Sequence, residues 1–227
     1  MENIKHFWLL HLARHCPADL DRLFPIAKTQ SFNVRDYPGY RPFEYAQDLI
    51  ELLRSGEITA KVDGKECSFD DAARVIEEHS NGLGRNDASF RLTKKGGAQW
   101  ETFAQPQWGR FVLVEDDFGS DLNDRSTSSR IASRSADAIV AYLGWYKPLR
   151  NHAIRTETII WTMHERYNLT YWKSLNDVHE ATFMTSNIVP EGDEYEEPSW
   201  LREWWFARAN WYVSPWDHPE WPPEEKV

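Results

Sequence analysis

Only two cysteines, Cys16 and Cys67, occur in 227 residues. That scarcity excludes the disulfide-dense scaffold of a small secreted domain, and two free thiols in a reducing compartment are expected. No stretch approaches the ~18 consecutive apolar residues of a membrane-spanning helix. The N-terminus shows no basic head, extended apolar run and small-residue cleavage site of a secretory leader, so a cytoplasmic location is expected. Basic residues are in deficit: 26 Lys and Arg stand against 36 Asp and Glu, a net charge of −10. That sign opposes the coating of a nucleic acid. The glycine-rich dinucleotide and phosphate-loop patterns and the Gly-x-Ser-x-Gly elbow are also missing.

Tryptophan, by contrast, is abundant, with 12 residues, and aromatic residues make up 14% of the chain. So many large apolar side chains exclude wholesale disorder. The length suits one large domain or two small ones. The expected division is a helical region with a β-hairpin over residues 1–110 and an acidic, tryptophan-rich α+β region over residues 111–227.

Phe43, Ala46, Ile50 and Leu53 recur at helical spacing, with Pro42 at the start and Gly56 at the end. Ile58 to Val62, Asp63-Gly64 and Lys65 to Cys67 then read as a tight hairpin, because Asp-Gly tolerates two positive φ angles. Ser68 is a helix N-cap with Asp71 three residues on. The helix that follows is expected to place Phe69, Ala72, Ala73 and Ile76 on one face. Ser80 to Asp87 is a loop and Ser89 to Leu92 a short strand. Thr93 caps a helix carrying Trp100 and Phe103 that stops near Pro106. Gly82, Gly84, Gly96 and Gly97 are read as turn glycines.

The run from Phe90 to Glu101, with Leu92-Thr93-Lys94-Lys95-Gly96 at its centre, resembles the strand, Leu-Thr, Lys-Gly and helix segment that closes many winged-helix domains. The resemblance covers about 12 residues and, with the preceding helices, residues 43–105. It implies a small helical domain with a β-ribbon, serving either DNA or protein recognition. The early hairpin between two helices departs from the usual winged-helix order.

In the second half, Arg110 to Val114 is an expected strand, and Glu115 to Arg134 an expected long surface loop. Ser135 to Tyr146 has helical spacing. Ile154 to Met163, Leu169 to Trp172 and Val178 to Met184 are expected strands. The fold class expected is α+β, with a mainly antiparallel sheet in the second half that holds Phe111–Val114 and Ala181–Met184.

The charge is uneven. Residues 1–110 hold 15 basic and 16 acidic side chains, net −1. Residues 111–227 hold 11 and 20, net −9. Within them, residues 186–227 hold 3 and 10, net −7, together with six tryptophans. Glu191, Asp193, Glu194, Tyr195, Glu196, Glu197, Trp200, Trp204 and Trp205 therefore form the candidate partner-binding set. Aromatic anchors bury large area at little entropic cost, and carboxylates around them select a basic face. The plainer alternative for the same residues is a solvated loop followed by a helix, Leu201 to Ala209, docked by its tryptophans. Pro215, Pro219, Pro222 and Pro223 point to an extended tail.

Other constellations carry less chemistry. His11 and His15 have the four-residue spacing of a metal pair but lack a third ligand, so no metal or cofactor is expected. Asp116-Asp117-Phe118-Gly119 lacks the other kinase motifs. Asp117, Asp121 and Asp124 do not have calcium-loop spacing. Glu157 with Glu165, and Asp177 with Glu180, are carboxylate pairs of the kind an acidic chain holds by chance. Arg85, Arg91, Lys94 and Lys95 would be the phosphate-contacting set if the winged-helix-like region bound DNA.

In bulk properties the chain resembles bacterial toxin-immunity proteins, which tend to be small, acidic, cytosolic and without catalytic motifs. The expectation is a non-enzymatic protein-binding module whose partner is a basic protein, in its specific form a cognate toxin occluded by the acidic, tryptophan-rich region. Neither nucleic acid nor membrane is an expected partner. Two alternatives stay open: a winged-helix DNA-binding transcriptional regulator, and an enzyme with an unrecognised site.

Overall fold

A computed structural model describes residues 2–24, 41–84, 87–117, 126–150, 153–186 and 211–219. The chain divides into two compact units. One comprises residues 1–105, 170–173 and 213–227, the other residues 106–169 and 174–212. Both contain antiparallel sheet and helix, so the fold class is α+β.

The first unit is built around α1 (Glu2–Leu12). Ile4, Phe7, Trp8, Leu9 and Leu10 are fully buried. A helix apolar on most sides must be enclosed, and each such side chain contributes about 1.5–3 kcal/mol by leaving water. After β1 (Ala18–Asp19) and the single turn α2 (Leu20–Leu23) comes α3 (Pro42–Arg54). Pro42 occupies the first turn of α3, where its missing N–H is no loss, and Gly56 lies just past the helix end at φ +76°. Tyr45 of α3 stacks on Trp8 at 5.3 Å.

Asp63 and Gly64 both have positive φ and close the hairpin of β2 (Ile58–Val62) and β3 (Lys65–Glu66). Ser68 caps α4 (Phe69–Ser80) by accepting from the Asp71 N–H. β4 (Ala88–Leu92) completes a sheet of order β1-β4-β2-β3. Thr93 caps α5 (Lys94–Ala104), and Gln105 ends it in the left-handed region. Residues 170–173 belong to this unit: the Trp172 ring meets Trp100 edge-on at 5.9 Å, and the Tyr171 hydroxyl donates to the Ala13 carbonyl.

Two expectations fail within residues 2–105 of this unit. Phe69 does not join Ala72 and Ile76 in the core; it is exposed beneath the Arg54 guanidinium, while Val75 and His79 are buried instead. Gly96 and Gly97 are not turn glycines but buried members of the first turns of α5. A Cβ on Gly96 would lie 1.9 Å from the Glu57 carbonyl oxygen, and one on Gly97 would lie 2.0 Å from the Trp172 ring. They are small because backbone and indole approach the helix closely.

The second unit holds a sheet of order β5-β6-β9-β7, with β8 also paired to β9. Its strands are β5 (Leu113–Asp117), β6 (Ser126–Ser133), β7 (Ala153–Ile154), β8 (Ile160–Asn168) and β9 (Ser174–Ser186). Ile139 and Tyr142 of α6 (Ala136–Arg150) pack against Ile131, Ala181 and Phe183. The expected sheet that holds both regions is present, with β6 between them, Leu113 and Val114 lying in β5 and Ala181–Met184 in β9.

That intervening strand corrects the expectation of a continuous loop from Glu115 to Arg134. Its serine-rich sequence hides it, yet Ser129 and Ser133 are buried and the Ser133 hydroxyl donates to the Phe111 carbonyl at 2.8 Å. Small polar side chains fill a tight interior once each finds a partner. The first expected strand also shifts, because residues 108–110 form a 3-10 turn and β5 starts at Leu113. The expected strand over Ile154 to Met163 is interrupted by a 3-10 turn at 156–158, and Leu169 to Trp172 is a connection rather than a strand. Pro215–Asp217 make one 3-10 turn with Pro215 buried, not extended chain.

Candidate functional site

The candidate partner-binding residues Glu191, Asp193, Glu194, Tyr195, Glu196, Glu197, Trp200, Trp204 and Trp205 lie outside the described residues, as does Arg85. The other basic candidates are placed. Arg91 on β4 pairs with the Glu66 carboxylate and donates to Thr59 Oγ1 at 3.3 Å. Lys95 donates to the Ser55 carbonyl at 2.6 Å and sits 3.9 Å from Glu57. Lys94 is exposed at the start of α5. Two of these three cations are therefore locally countered by carboxylates.

His11 and His15 do not share a helical face. α1 ends at Leu12, so His15 lies beyond it, exposed. His11 is buried, with Nδ1 accepting from Trp100 Nε1 at 3.4 Å. Desolvation, then the nearby charges of Arg14 and His15, push its pKa well below the usual histidine value. Both cysteines are free thiols.

Two polar constellations emerge that sequence spacing did not show. In the first unit, His6 of α1 faces Asp48 and Glu51, one helical turn apart on α3. His6 Nε2 lies 3.7 Å from Asp48 Oδ1 and 3.8 Å from Glu51 Oε2, and all three donor atoms fall within 4.8 Å of one another. The His6 pKa is raised. The Asp48 carboxylate alongside is the largest cause, partial burial opposes it, and Glu51 and Glu57 add their charges.

In the second unit, Glu180 on β9 is buried, with Arg130 Nε at 3.9 Å and His164 Nε2 at 3.5 Å. Arg130 also pairs with Glu115. The Tyr167 pKa is raised, by desolvation first and by the Glu180 carboxylate second. The Glu180 charge is thus met from within the fold by the Arg130 guanidinium, with the His164 imidazole nearby. Asp177, once considered as its partner, is exposed and at φ +55°.

Beside this cluster runs β8, which pairs only with β9 among the described residues. It exposes Ile160 (64%), Trp161 (46%) and Met163 (65%). Trp161 and Met163 point to one face of the strand and Ile160 to the other, by alternation. Alternation in the sequence signals the start of the strand, but which strands it pairs with depends on contacts that residue patterns do not encode.

Among the described residues, no helix is long and apolar enough to cross a membrane. No family model, curated protein or solved structure matches the chain.

Proposed function

We propose that this chain is a non-enzymatic protein-binding module for a basic partner. The observation that carries the proposal is the exposed apolar side chains of β8, which pairs only with β9 among the described residues: a tryptophan, a methionine and an isoleucine stand exposed within four residues. Single exposed apolar side chains are ordinary, but Trp161 and Met163 side by side on one face of a strand are the kind of surface that proteins keep for a partner. The sign of the partner follows from charge: residues 111–227 carry net −9, and residues 186–227 alone carry −7 beside six tryptophans. In its specific form the module is an immunity protein that acts by occlusion. Carboxylates meet the lysines and arginines of a toxin while Trp161 fills an apolar pocket.

The test captures partners on the full chain and follows binding of the captured protein by surface plasmon resonance at two ionic strengths. Trp161→Ser should weaken binding through faster dissociation by about 30-fold, the equivalent of a ~2 kcal/mol hot spot. Charge reversal of Glu194, Glu196 and Glu197 to lysine should slow association, more so at low salt. Capture of an acidic protein, or unchanged kinetics in both variants, overturns the proposal. A low-salt shift of random duplex DNA, lost on neutralising Arg91, Lys94 and Lys95, would establish the winged-helix alternative instead.

A further inference from the structure

We infer that His6, Asp48 and Glu51 form a binding site for a divalent transition-metal cation of the zinc class, bridging α1 and α3. Three observations carry this. The donors come from two helices rather than from one acidic patch, and one of them is an imidazole nitrogen, which borderline metals favour and calcium and magnesium do not. The backbones beneath are fixed: Phe7 and Trp8 beside His6 are fully buried, and so are Leu49 and Leu52 beside Asp48 and Glu51.

The third observation is the spacing. At 3.7 and 3.8 Å, Nε2 is farther from both carboxylates than a hydrogen bond allows. Two ligands that share a tetrahedral zinc ion at their usual bond lengths stand about 3.3–3.4 Å apart. Closing the two His6 edges therefore takes movements of about half an ångström. The Glu51 side chain, 60% exposed, has the freedom to close the remaining edge. One imidazole and two carboxylates leave the fourth position to water, the ligand count of an open site. Bound metal would tie the N-terminal helix to α3.

The full-length protein, stripped with chelator, is titrated with zinc chloride by calorimetry, and its melting temperature is followed. One zinc per chain and a raised Tm are expected. X-ray absorption should show a nitrogen and oxygen shell without sulfur, which separates this site from Cys16 and Cys67. His6→Ala and Asp48→Asn should each weaken binding by about 10–100-fold or more, since losing a ligand costs at least as much as losing its outer-shell support. Glu51→Gln, at an exposed position, gives the same reading if a helix variant fails to fold. Absence of saturable one-to-one binding, sulfur in the shell, or full affinity in His6→Ala or Glu51→Gln overturns the inference.

Discussion

Gly96→Ala and Gly144→Ala should move stability in opposite directions, although both replace a helical glycine. On helix propensity alone each gains up to about 1 kcal/mol. At Gly144, in α6, a new Cβ meets nothing within 4 Å, so the gain should be realised. At Gly96 the Cβ would sit 1.9 Å from the Glu57 carbonyl oxygen and 2.8 Å from its carbonyl carbon. A carbon and a carbonyl oxygen settle no closer than about 3.3 Å, so one backbone must retreat by more than an ångström. The Glu57 oxygen is not free to do so, because it accepts from the Thr93 N–H at 2.9 Å and, at 3.1 Å, shares the Thr93 hydroxyl proton with the Gly56 carbonyl at 2.7 Å. Thr93 Oγ1 also accepts from the Gly96 N–H at 3.1 Å and so caps the same helix. Relief of the clash therefore weakens one or two hydrogen bonds at about 1 kcal/mol each and adds overpacking strain of about 1–3 kcal/mol. Set against the propensity gain, a net loss of about 2–3 kcal/mol is expected. Urea unfolding followed by circular dichroism and tryptophan fluorescence measures it. The chain has two compact units, so each variant is judged by the transition it moves, at unchanged m. A Gly96→Ala protein at least as stable as wild type, beside a stabilised Gly144→Ala, would refute the claim that close backbone approach selects this glycine.

His11 should make the first unit acid-sensitive. Its folded pKa lies well below the unfolded value of 6.5, so the unfolded chain binds the proton first. Stability is then full above pH 6.5 and falls as pH drops below it, by up to about 1.4 kcal/mol per pH unit. His15, exposed, is lowered to about 4 by desolvation and then by Arg14, and adds a smaller, screened share in the same direction. The raised His6 acts oppositely, with stability present below 6.5 and lost as pH rises through its folded pKa. His11→Gln keeps an acceptor for Trp100 and does not titrate. The stability difference from wild type should therefore change steadily below about pH 6, and a pH-independent difference would count against the assignment. Tyr171→Phe should cost about 1–2 kcal/mol, because the hydroxyl accepts from the buried Leu92 N–H at 2.8 Å as well as donating to Ala13. Burial raises the Tyr171 pKa to about 12, so its contribution is present below pH 10 and lost as pH rises through 12; the phenylalanine variant should lack that alkaline decline, as pH-jump unfolding would show.

The hairpin and helix caps of the first unit were readable because their causes are local. Asp63-Gly64 needs two positive φ angles and Ser68 needs an orphan N–H three residues on, and both requirements lie within a few positions of chain. β6 was not readable for the opposite reason. Ser126 to Ser133 is a poor strand by composition, and becomes one because β5 and β9 supply hydrogen-bond ladders on both sides. Phe69 was misassigned for a related reason. It has the spacing of a core residue, but it is at the first position of α4, where Arg54 lies over its ring and the side chain stays exposed.

The same distinction decides the histidines. His11, read as a possible ligand for its spacing from His15, faces Trp100 in an apolar interior, where a charge is costly and a single acceptor atom suffices. His6, five residues earlier on the same helix, is turned to α3 and meets two carboxylates on adjacent turns. Asp48 and Glu51 stand three apart on α3 and so share one helical face, but the third donor comes from an element that only tertiary packing brings beside them. His164 stands on a strand and owes its surroundings to Glu180, which β9 places diagonally from it, opposite Thr162. In each case the imidazole is the same chemical group. Its role is assigned by the partner face, which makes the packing of α1 on α3, rather than the histidine count, the feature on which the metal proposal rests.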